Sequence, residues 1–270
     1  MNIQYINNNI QKNYTLTHKG VSRTVYKQVV PPDLATHKYG NIKHKNTSWM
    51  FRPELWNCIK IYKYFSRAFN DATKVNVYNY GCSLGYEAYS FVLWLLSGKK
   101  KNPEKFLPII AKDYDEFIIN EAKKNNLFMN IVELGDIETV AGYDNIHNFF
   151  ELSDFGTYNT IDGIQNGRYA KPKTKLTDNV QFYVADIRED YKNIEPENSI
   201  VIATNFWPYL EREERYELAN NLYKQLDKGS YVNIADFDNN QYYLRDNKST
   251  AEILHDAGFK QTSSRKILKK

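Results

Sequence analysis

The stretch Val75-Asn-Val-Tyr-Asn-Tyr-Gly-Cys-Ser-Leu-Gly-Tyr-Glu87 decides the predicted fold. Its first residues are rich in Val and Tyr, which predicts a strand. Gly81 and Gly85 predict a tight turn, and the apolar run that follows Glu87 predicts a buried helix. In this order the helix presents free N–H groups beside a loop that a ligand can approach closely.

An acidic segment follows the next predicted strand. The apolar run from Phe106 to Ala111 ends in Lys-Asp-Tyr-Asp, with Asp113 placed 28 residues after Gly85. A carboxylate there can accept both hydrogen bonds of a ribose diol. A glycine turn and a distal acid together are the nucleoside-binding arrangement of doubly wound folds.

Strand and helix patterns alternate from residue 75 to 235, which predicts an α/β fold with a doubly wound, mostly parallel, Rossmann-like sheet. Ligands of such sheets bind at the carboxyl ends of the strands. We expect residues 1–47 to form a basic N-terminal arm or cap and residues 48–270 to form one enzyme domain. Asn166-Gly167 predicts the turn of a hairpin inside an inserted region at about 140–178. A last strand is expected at about Gln261 to Leu268.

Composition limits the classes of protein. A chain of 270 residues with two cysteines fits one large domain in a reducing cytoplasm. The longest apolar run, Phe91 to Leu96, is far below the roughly 20 residues that span a bilayer, so no membrane insertion is expected. No histidine or cysteine pairing has metal-ligand spacing, and we predict no metal.

The charge is concentrated at the two ends of the chain. Residues 1–47 carry seven Lys or Arg against one Asp, and residues 260–270 carry five Lys or Arg without an acid. Basic ends on an acidic body predict contact with nucleic acid or an acidic protein, and solvated termini are the alternative.

Two other kinds of site share part of the loop pattern. The loop fits G-x-S-x-G, the nucleophile elbow of hydrolases, with Ser83 as nucleophile and His255 as its histidine. That fold places several strands before the elbow, which the upstream residues do not predict. A nicotinamide site is disfavoured because G-x-G-x-x-G is absent. A structural interpretation, in which Gly81 and Gly85 only permit tight packing, stays open.

Four motifs in order resemble those of CheR-type chemotaxis receptor glutamate methyltransferases. They match that family's T-x-F-F-R segment, its G-C-S-T-G-E-E-P-Y-S loop, its T-D-I-D acid and its R-N-x-x-x-Y-F segment. In this chain they read Asn46-Thr-Ser-Trp-Met-Phe-Arg52, Tyr80-Gly-Cys-Ser-Leu-Gly-Tyr-Glu-Ala-Tyr-Ser90, Ala111-Lys-Asp-Tyr-Asp115 and Asn205-Phe-Trp-Pro-Tyr-Leu210. The resemblance covers about residues 46 to 237.

The resemblance implies a class I methyltransferase fold that uses S-adenosylmethionine and releases S-adenosylhomocysteine. It implies that Tyr209 lies beside the acceptor, that Ser48 and Arg52 belong to a segment that closes over the cofactor, and that the hairpin is a shortened form of the family's inserted β-subdomain. Arg52 there can also hold an oxygen of a carboxylate acceptor, to which Tyr209 can donate. The cofactor-binding residues that it implies are Ser48, Arg52, Gly81, Cys82, Ser83, Gly85, Glu87, Asp113, Tyr114, Asp186, Ile187 and Asn205.

Some positions depart from the family pattern. Thr204 replaces the arginine that the family has before its asparagine, Tyr86 replaces a loop glutamate and Ala88 replaces the proline. Residues 1–45 contain no recognisable counterpart of the family's helical receptor-binding domain. These departures bear on the chemotaxis substrate, and leave the cofactor prediction unchanged.

Four of the predicted roles have structural alternatives. Arg52 can pair with a surface acid, and Glu87 can be a first-turn acid that the helix dipole favours. Asp186 can cap a turn, and Tyr209 can be a core aromatic residue.

Three functions remain open from the sequence. The first is an S-adenosylmethionine-dependent methyltransferase that acts on a carboxylate, such as one on a protein, because a carboxylate nucleophile needs positioning and no general base. The second is a nucleic-acid or small-molecule methyltransferase, the former using the basic ends. The third is a non-catalytic cofactor-binding module.

Overall fold

The computed structural model describes residues 14–18, 21–25, 49–51, 55–98, 102–142, 145–160, 163–244 and 246–270. The chain divides into two units, Met1–Ile42 and Lys43–Lys270. In the first unit, Tyr14–His18 (β1) and Val21–Val25 (β2) pair as antiparallel strands. The sequence-based boundary between residues 47 and 48 stays a prediction.

The second unit contains the strands and helices of an α/β fold. In chain order the described strands are Asn76–Tyr80 (β3), Ile109–Asp113 (β4), Leu127–Met129 (β5), Phe150–Leu152 (β6), Gly156–Thr160 (β7), Gly163–Pro172 (β8), Val180–Val184 (β9), Ser199–Ala203 (β10), Tyr231–Asn233 (β11), Lys260–Gln261 (β12) and Ile267–Lys269 (β13). The described helices are Leu55–Ala68 (α1), Tyr86–Leu96 (α2), Glu116–Ala122 (α3), Ile131–Ala141 (α4), Thr174–Thr177 (α5), Ile187–Asp190 (α6), Arg212–Gln225 (α7), Gln241–Leu244 (α8) and Thr250–Asp256 (α9).

Within the described ranges, seven strands form the large sheet in the order β12-β13-β11-β10-β3-β4-β9. The neighbours from β11 to β9 are parallel, and β13 is antiparallel to both β11 and β12. The predicted doubly wound, mostly parallel α/β sheet is therefore confirmed. The strand order reverses between β3 and β10, which makes the loops after these two strands the place where a ligand is expected.

The core lies on both faces of this sheet. Successive residues of β3 point to opposite faces, so that Val77 joins one buried cluster and Tyr78 joins the other. The helix α2 is apolar on nearly all sides, and it is buried along most of its length. None of the helices in the described ranges is long and apolar enough to cross a lipid bilayer.

A small sheet is inserted between α3 and α5, and it contains β5, β6, β7 and β8. Here the predicted hairpin turn at Asn166-Gly167 is wrong. The strands β7 and β8 pair with Thr160 opposite Gly163, so Asn166 and Gly167 lie inside β8 and face β7. A Cβ on Gly167 would lie 2.3 Å from the Met129 carbonyl oxygen. Glycine is required there by the close approach of β5, which a sequence motif for turns cannot reveal.

Two further elements differ from the sequence expectation. The helix α4 was not predicted, although its start has a capping box of Asn130 and Glu133. The expected last strand is two short antiparallel strands, β12 and β13. The intervening Ser263 and Ser264 belong to the turn between them, where serine side chains compete for backbone hydrogen bonds.

Candidate active site

The loop between β3 and α2 adopts left-handed backbone conformations. Gly81 has φ 67°, Ser83 has φ 51° and Gly85, which caps α2, has φ 88°. A Cβ on Gly85 would lie 2.5 Å from the Phe182 ring, so both conformation and space require glycine there. A Cβ on Gly81 would lie 3.1 Å from the Phe206 ring, which brings the loop after β10 against the loop after β3. Tight packing therefore accounts for both glycines, and the approach of a ligand to this loop stays a prediction.

Asp113, at the end of β4, lies against this loop. Its Oδ2 accepts a hydrogen bond from the Ser83 N–H at 2.9 Å, and its Oδ1 accepts one from the Asp115 N–H at 3.1 Å. Burial raises the pKa of Asp113, and these N–H groups oppose the rise. A carboxylate has about four acceptor positions, so lone pairs remain for further donors. Tyr114 follows it and is half-exposed at the same edge.

Asp186 is engaged by its own neighbours after β9. It caps α6 by accepting the Arg188 N–H at 3.0 Å, and the Arg188 guanidinium also binds its carboxylate. Arg188 reaches Glu214 on α7 at 2.6 Å. Burial would raise the pKa of Asp186, but the hydrogen bonds and charge of Arg188 hold it below its ordinary value. The capping alternative is thus present, and Ile187 is buried in the core. An adenine contact by Asp186 and Ile187 stays a prediction.

The Glu87 carboxylate lies between β3 and β10. Its Oε2 accepts hydrogen bonds from Asn79 Nδ2 and from Thr204 Oγ1, both at 2.8 Å. Glu87 is therefore more than a first-turn acid on a helix surface. Thr204, which replaces the arginine of the family pattern, therefore has Glu87 as its hydrogen-bond partner. Asn79, a buried polar residue within a central strand, was missed from the sequence although its polarity at such a position is unusual.

Asn205 begins the loop after β10 with φ 65°, uncommon for a residue with a side chain. Its N–H donates to Asp238 Oδ2 at 2.8 Å. Asp238 was also missed from the sequence. The sequence feature that could have identified it is an acidic residue shortly after β11, at the carboxyl edge of the sheet, where ligand-binding residues collect.

Of the two residues predicted to orient the methyl acceptor, the structure describes Tyr209. Tyr209 lies in the 3₁₀ turn Trp207–Tyr209 after β10, with its ring 6.2 Å from that of Phe237. Arg52 and Ser48 lie outside the described residues.

The segment just before Arg52 is described, and it is buried. The Phe51 N–H donates to Ser90 Oγ on α2 at 2.8 Å, and the Met50 N–H donates to Glu133 Oε1 on α4 at 2.9 Å. Ser90 is one turn after Glu87 on the same helix, so this segment docks beside the cofactor loop.

Both thiols are buried and protonated. Burial, with a contribution from the negative charge of Glu87, raises the pKa of Cys58 to about 12. Burial also raises the pKa of Cys82 well above its ordinary value. Cys82 donates its N–H to the Lys112 carbonyl at 3.1 Å, and its thiol donates to the Ser83 carbonyl at 3.6 Å.

A family model described as CheR methyltransferase, SAM binding domain, matches residues 45–250. The chain belongs to this family. It is therefore an S-adenosylmethionine-dependent methyltransferase, as the motifs indicated, and the hydrolase and non-catalytic alternatives are set aside. A search of curated proteins gave no significant match.

Solved structures to which this chain is similar include two methyltransferases. The magnesium protoporphyrin IX methyltransferase of Synechocystis PCC 6803 with bound SAM has 14% identity and a TM-score of 0.42, with 79% of this chain and 77% of that chain covered. The N-methyltransferase NodS of Bradyrhizobium japonicum WM9 has 11% identity and a TM-score of 0.40, with 81% and 96% covered.

The residues of this CheR-family site fit the cofactor. Asn79 Oδ1 is buried and accepts no hydrogen bond from any described residue, and it lies on the side chain that already binds Glu87. An unused acceptor beside a carboxylate suits the ammonium group of the cofactor's methionine end. Asp113, at the neighbouring strand end, suits the ribose hydroxyls.

No cluster of three or more His, Cys, Asp or Glu that could hold a metal ion occurs within the described ranges. The basic C-terminus is partly engaged within the fold. Lys266 Nζ lies 2.7 Å from Asp236 Oδ2, and Lys270 Nζ donates to the Tyr223 carbonyl at 2.5 Å.

Proposed function

We propose that this methyltransferase transfers the methyl group to a carboxylate of an acceptor protein, and that Arg52 and Tyr209 orient that carboxylate. The observation that carries the proposal is the position of Tyr209. It belongs to the loop after β10, whose Phe206 lies against Gly81 of the cofactor loop. A phenol in that loop can donate a hydrogen bond to an acceptor beside the cofactor.

The proposed role of Arg52 is supported by its neighbours in the chain. Met50 and Phe51 are fixed by hydrogen bonds to Glu133 on α4 and to Ser90 on α2, the helix that follows the cofactor loop. Arg52 follows directly in the sequence. A guanidinium can hold a carboxylate through two parallel hydrogen bonds, which suits an acceptor of this charge.

The chemistry makes modest demands on the protein. The bound cofactor would supply a methyl group on a positively charged sulfur. An incoming nucleophile attacks the methyl carbon, and the sulfur leaves in line with it. A carboxylate is already ionised at neutral pH, so the protein's task is alignment and exclusion of water. In the proposal, Arg52 and Tyr209 hold one acceptor oxygen and leave the other facing the methyl group.

Methylation assays with isotope-labelled S-adenosylmethionine test the acceptor class. Acidic protein fractions should take up label that mild base releases as methanol, the behaviour of a carboxyl ester. Label that resists base, or label found in nucleic acid, would reject the carboxylate and favour the alternative acceptors.

Variants test the two named residues. Arg52→Ala should lower turnover while S-adenosylhomocysteine binding stays within about tenfold, or roughly 1.4 kcal/mol. Tyr209→Phe should act in the same direction but more mildly, because it removes one donor. Arg67→Ala is the matched control, since Arg67 is exposed and lies in the last turn of α1. An equal loss in the control would contradict the assignment.

A further inference from the structure

Asp238 joins two loops at the carboxyl edge of the sheet. Its Oδ2 accepts the Asn205 N–H, on the loop after β10, at 2.8 Å, and the Ala235 N–H, on the loop after β11, at 2.9 Å. The strands β10 and β11 are parallel neighbours, so one oxygen atom links the segments that leave them. The chain around Asp238 is itself fixed, because the Thr250 hydroxyl on α9 donates to its carbonyl at 2.5 Å.

One of the linked residues has a strained backbone. Asn205 has φ 65°, a conformation that residues with a side chain adopt rarely and that surrounding contacts must maintain. Its N–H bond to Asp238 is such a contact. Asn205 lies two residues before the turn Trp207–Tyr209, so a change in its backbone would move the segment that carries this turn.

The carboxylate is costly to keep at this position. Asp238 is fully buried, and no described group donates a hydrogen bond to its Oδ1. Burial raises its pKa to about 7, the N–H groups of Asn205, Ala235 and Trp207 oppose the rise, and the negative charge of Glu87 adds to it. An apolar side chain would fill the space without this desolvation cost, so filling space does not account for the acid.

We propose that Asp238 is a positioning residue for methyl transfer, whose carboxylate sets the backbone of the loop from Asn205 to Tyr209 beside the cofactor. The part of this inference that concerns Tyr209 rests on the proposed function. The Asp238 carboxylate acts through the loop, because it is buried and accepts the backbone N–H of Asn205.

Charged groups surround Asp238 unevenly. The negative charge of Glu87 on α2 contributes to the raised pKa of Asp238. Asp236, on its own loop, is paired with Lys266 before β13. The β10 loop contributes N–H groups and α9 contributes the Thr250 hydroxyl. A cofactor ammonium at Glu87 would offset the charge of Glu87, and Asp238 would then lose its proton at lower pH.

A titration of the wild-type protein tests the link without any variant. The amide proton signals of Asn205 and Ala235, followed by nuclear magnetic resonance, should move in one shared step near neutral pH. Saturation with S-adenosylhomocysteine should shift that step to lower pH. Asp238→Asn should abolish the step. Signals that do not share a step, or a step that S-adenosylhomocysteine leaves unchanged, would overturn the proposal.

Hydrogen exchange of loop peptides tests the positioning. Asp238→Ala should speed exchange in the segment 204–210 by about tenfold or more, because the clamp is lost. Asp238→Asn should stay within about threefold of wild type, since its amide oxygen can still accept both N–H groups. Faster exchange in every strand alike would mean a purely structural role.

Asp246→Asn is the matched control. The Asp246 side chain is also buried, but it faces Arg212 and Arg215 on α7, with the closest atoms 3.4 and 3.9 Å away. This variant should lose stability and leave exchange of 204–210 unchanged. If it moves that segment as strongly as Asp238→Ala, the proposal fails. None of these measurements needs a methyl acceptor, so a wrong acceptor class would not change their results.

Discussion

Asp113 has one observed role and one predicted role, and the same carboxylate serves both. Its carboxylate fixes the cofactor loop through Ser83 and the start of the next segment through Asp115. It is also the acid that the sequence predicts for the ribose of the cofactor. Removing it would leave both the loop and the ribose hydroxyls without an acceptor.

We predict that Asp113→Ala weakens S-adenosylhomocysteine binding by about 1–3 kcal/mol, the typical cost of leaving such hydrogen-bonding groups unpaired. Isothermal titration calorimetry measures this directly. Asp178→Ala is the control, because Asp178 is exposed and precedes β9 at the opposite edge of the sheet. Unchanged affinity in the Asp113 variant would reject the ribose assignment.

At the scale of elements, a buried ion pair connects β4 to α6. Lys112 Nζ lies 2.5 Å from Asp190 Oδ2, and the Tyr80 hydroxyl donates to the same oxygen at 2.5 Å. Burial alone would raise the pKa of Asp190, but the hydrogen bonds from Asn193, Lys112 and Tyr80 hold it below its ordinary value. The pair thus ties the strand that carries Asp113 to the helix that begins at Ile187.

We expect Lys112→Met to lower the free energy of unfolding by about 1–3 kcal/mol, because it leaves the partly buried carboxylate of Asp190 without its cation. The exposed pair of Lys124 and Glu121 gives the control, and Lys124→Met should cost about 1 kcal/mol or less. Chemical denaturation measures both. Similar small losses in the two variants would show that the buried pair does not hold these elements together.

At the scale of the whole molecule, the family match begins at residue 45 and ends at residue 250. Before it, the described residues of the first unit are the strands β1 and β2. Thr204, engaged with Glu87, stands where the chemoreceptor enzymes that the motifs resemble have an arginine.

We therefore predict that this chain does not methylate the cytoplasmic domains of chemoreceptors. Labelled S-adenosylmethionine supplied with such domains should give no base-labile label. A chemoreceptor methyltransferase that has the helical domain, assayed in parallel, establishes that the substrates are competent. Efficient labelling by the present chain would refute the prediction.

Several features of the fold and site followed from the sequence alone. The strand, glycine turn and helix from Val75 onward were predicted because turn chemistry and hydrophobic periodicity are local properties. Asp113 was predicted because it follows a predicted strand, and Glu87 because the resemblance to the family implied it. The cofactor followed from the same resemblance, and the family match confirms it.

Other features were decided only by the tertiary structure. Gly167 is a glycine because β5 approaches it closely. The Asp186 carboxylate is already bound by the Arg188 guanidinium, which also reaches Glu214. Asp238 acquires its partner from Asn205, 33 residues earlier in the chain. Local patterns set which elements form and which strand ends carry polar groups. The packing of distant segments sets which of those groups are already satisfied and which stay available to a ligand, because hydrogen bonds and close contacts depend on distance in space.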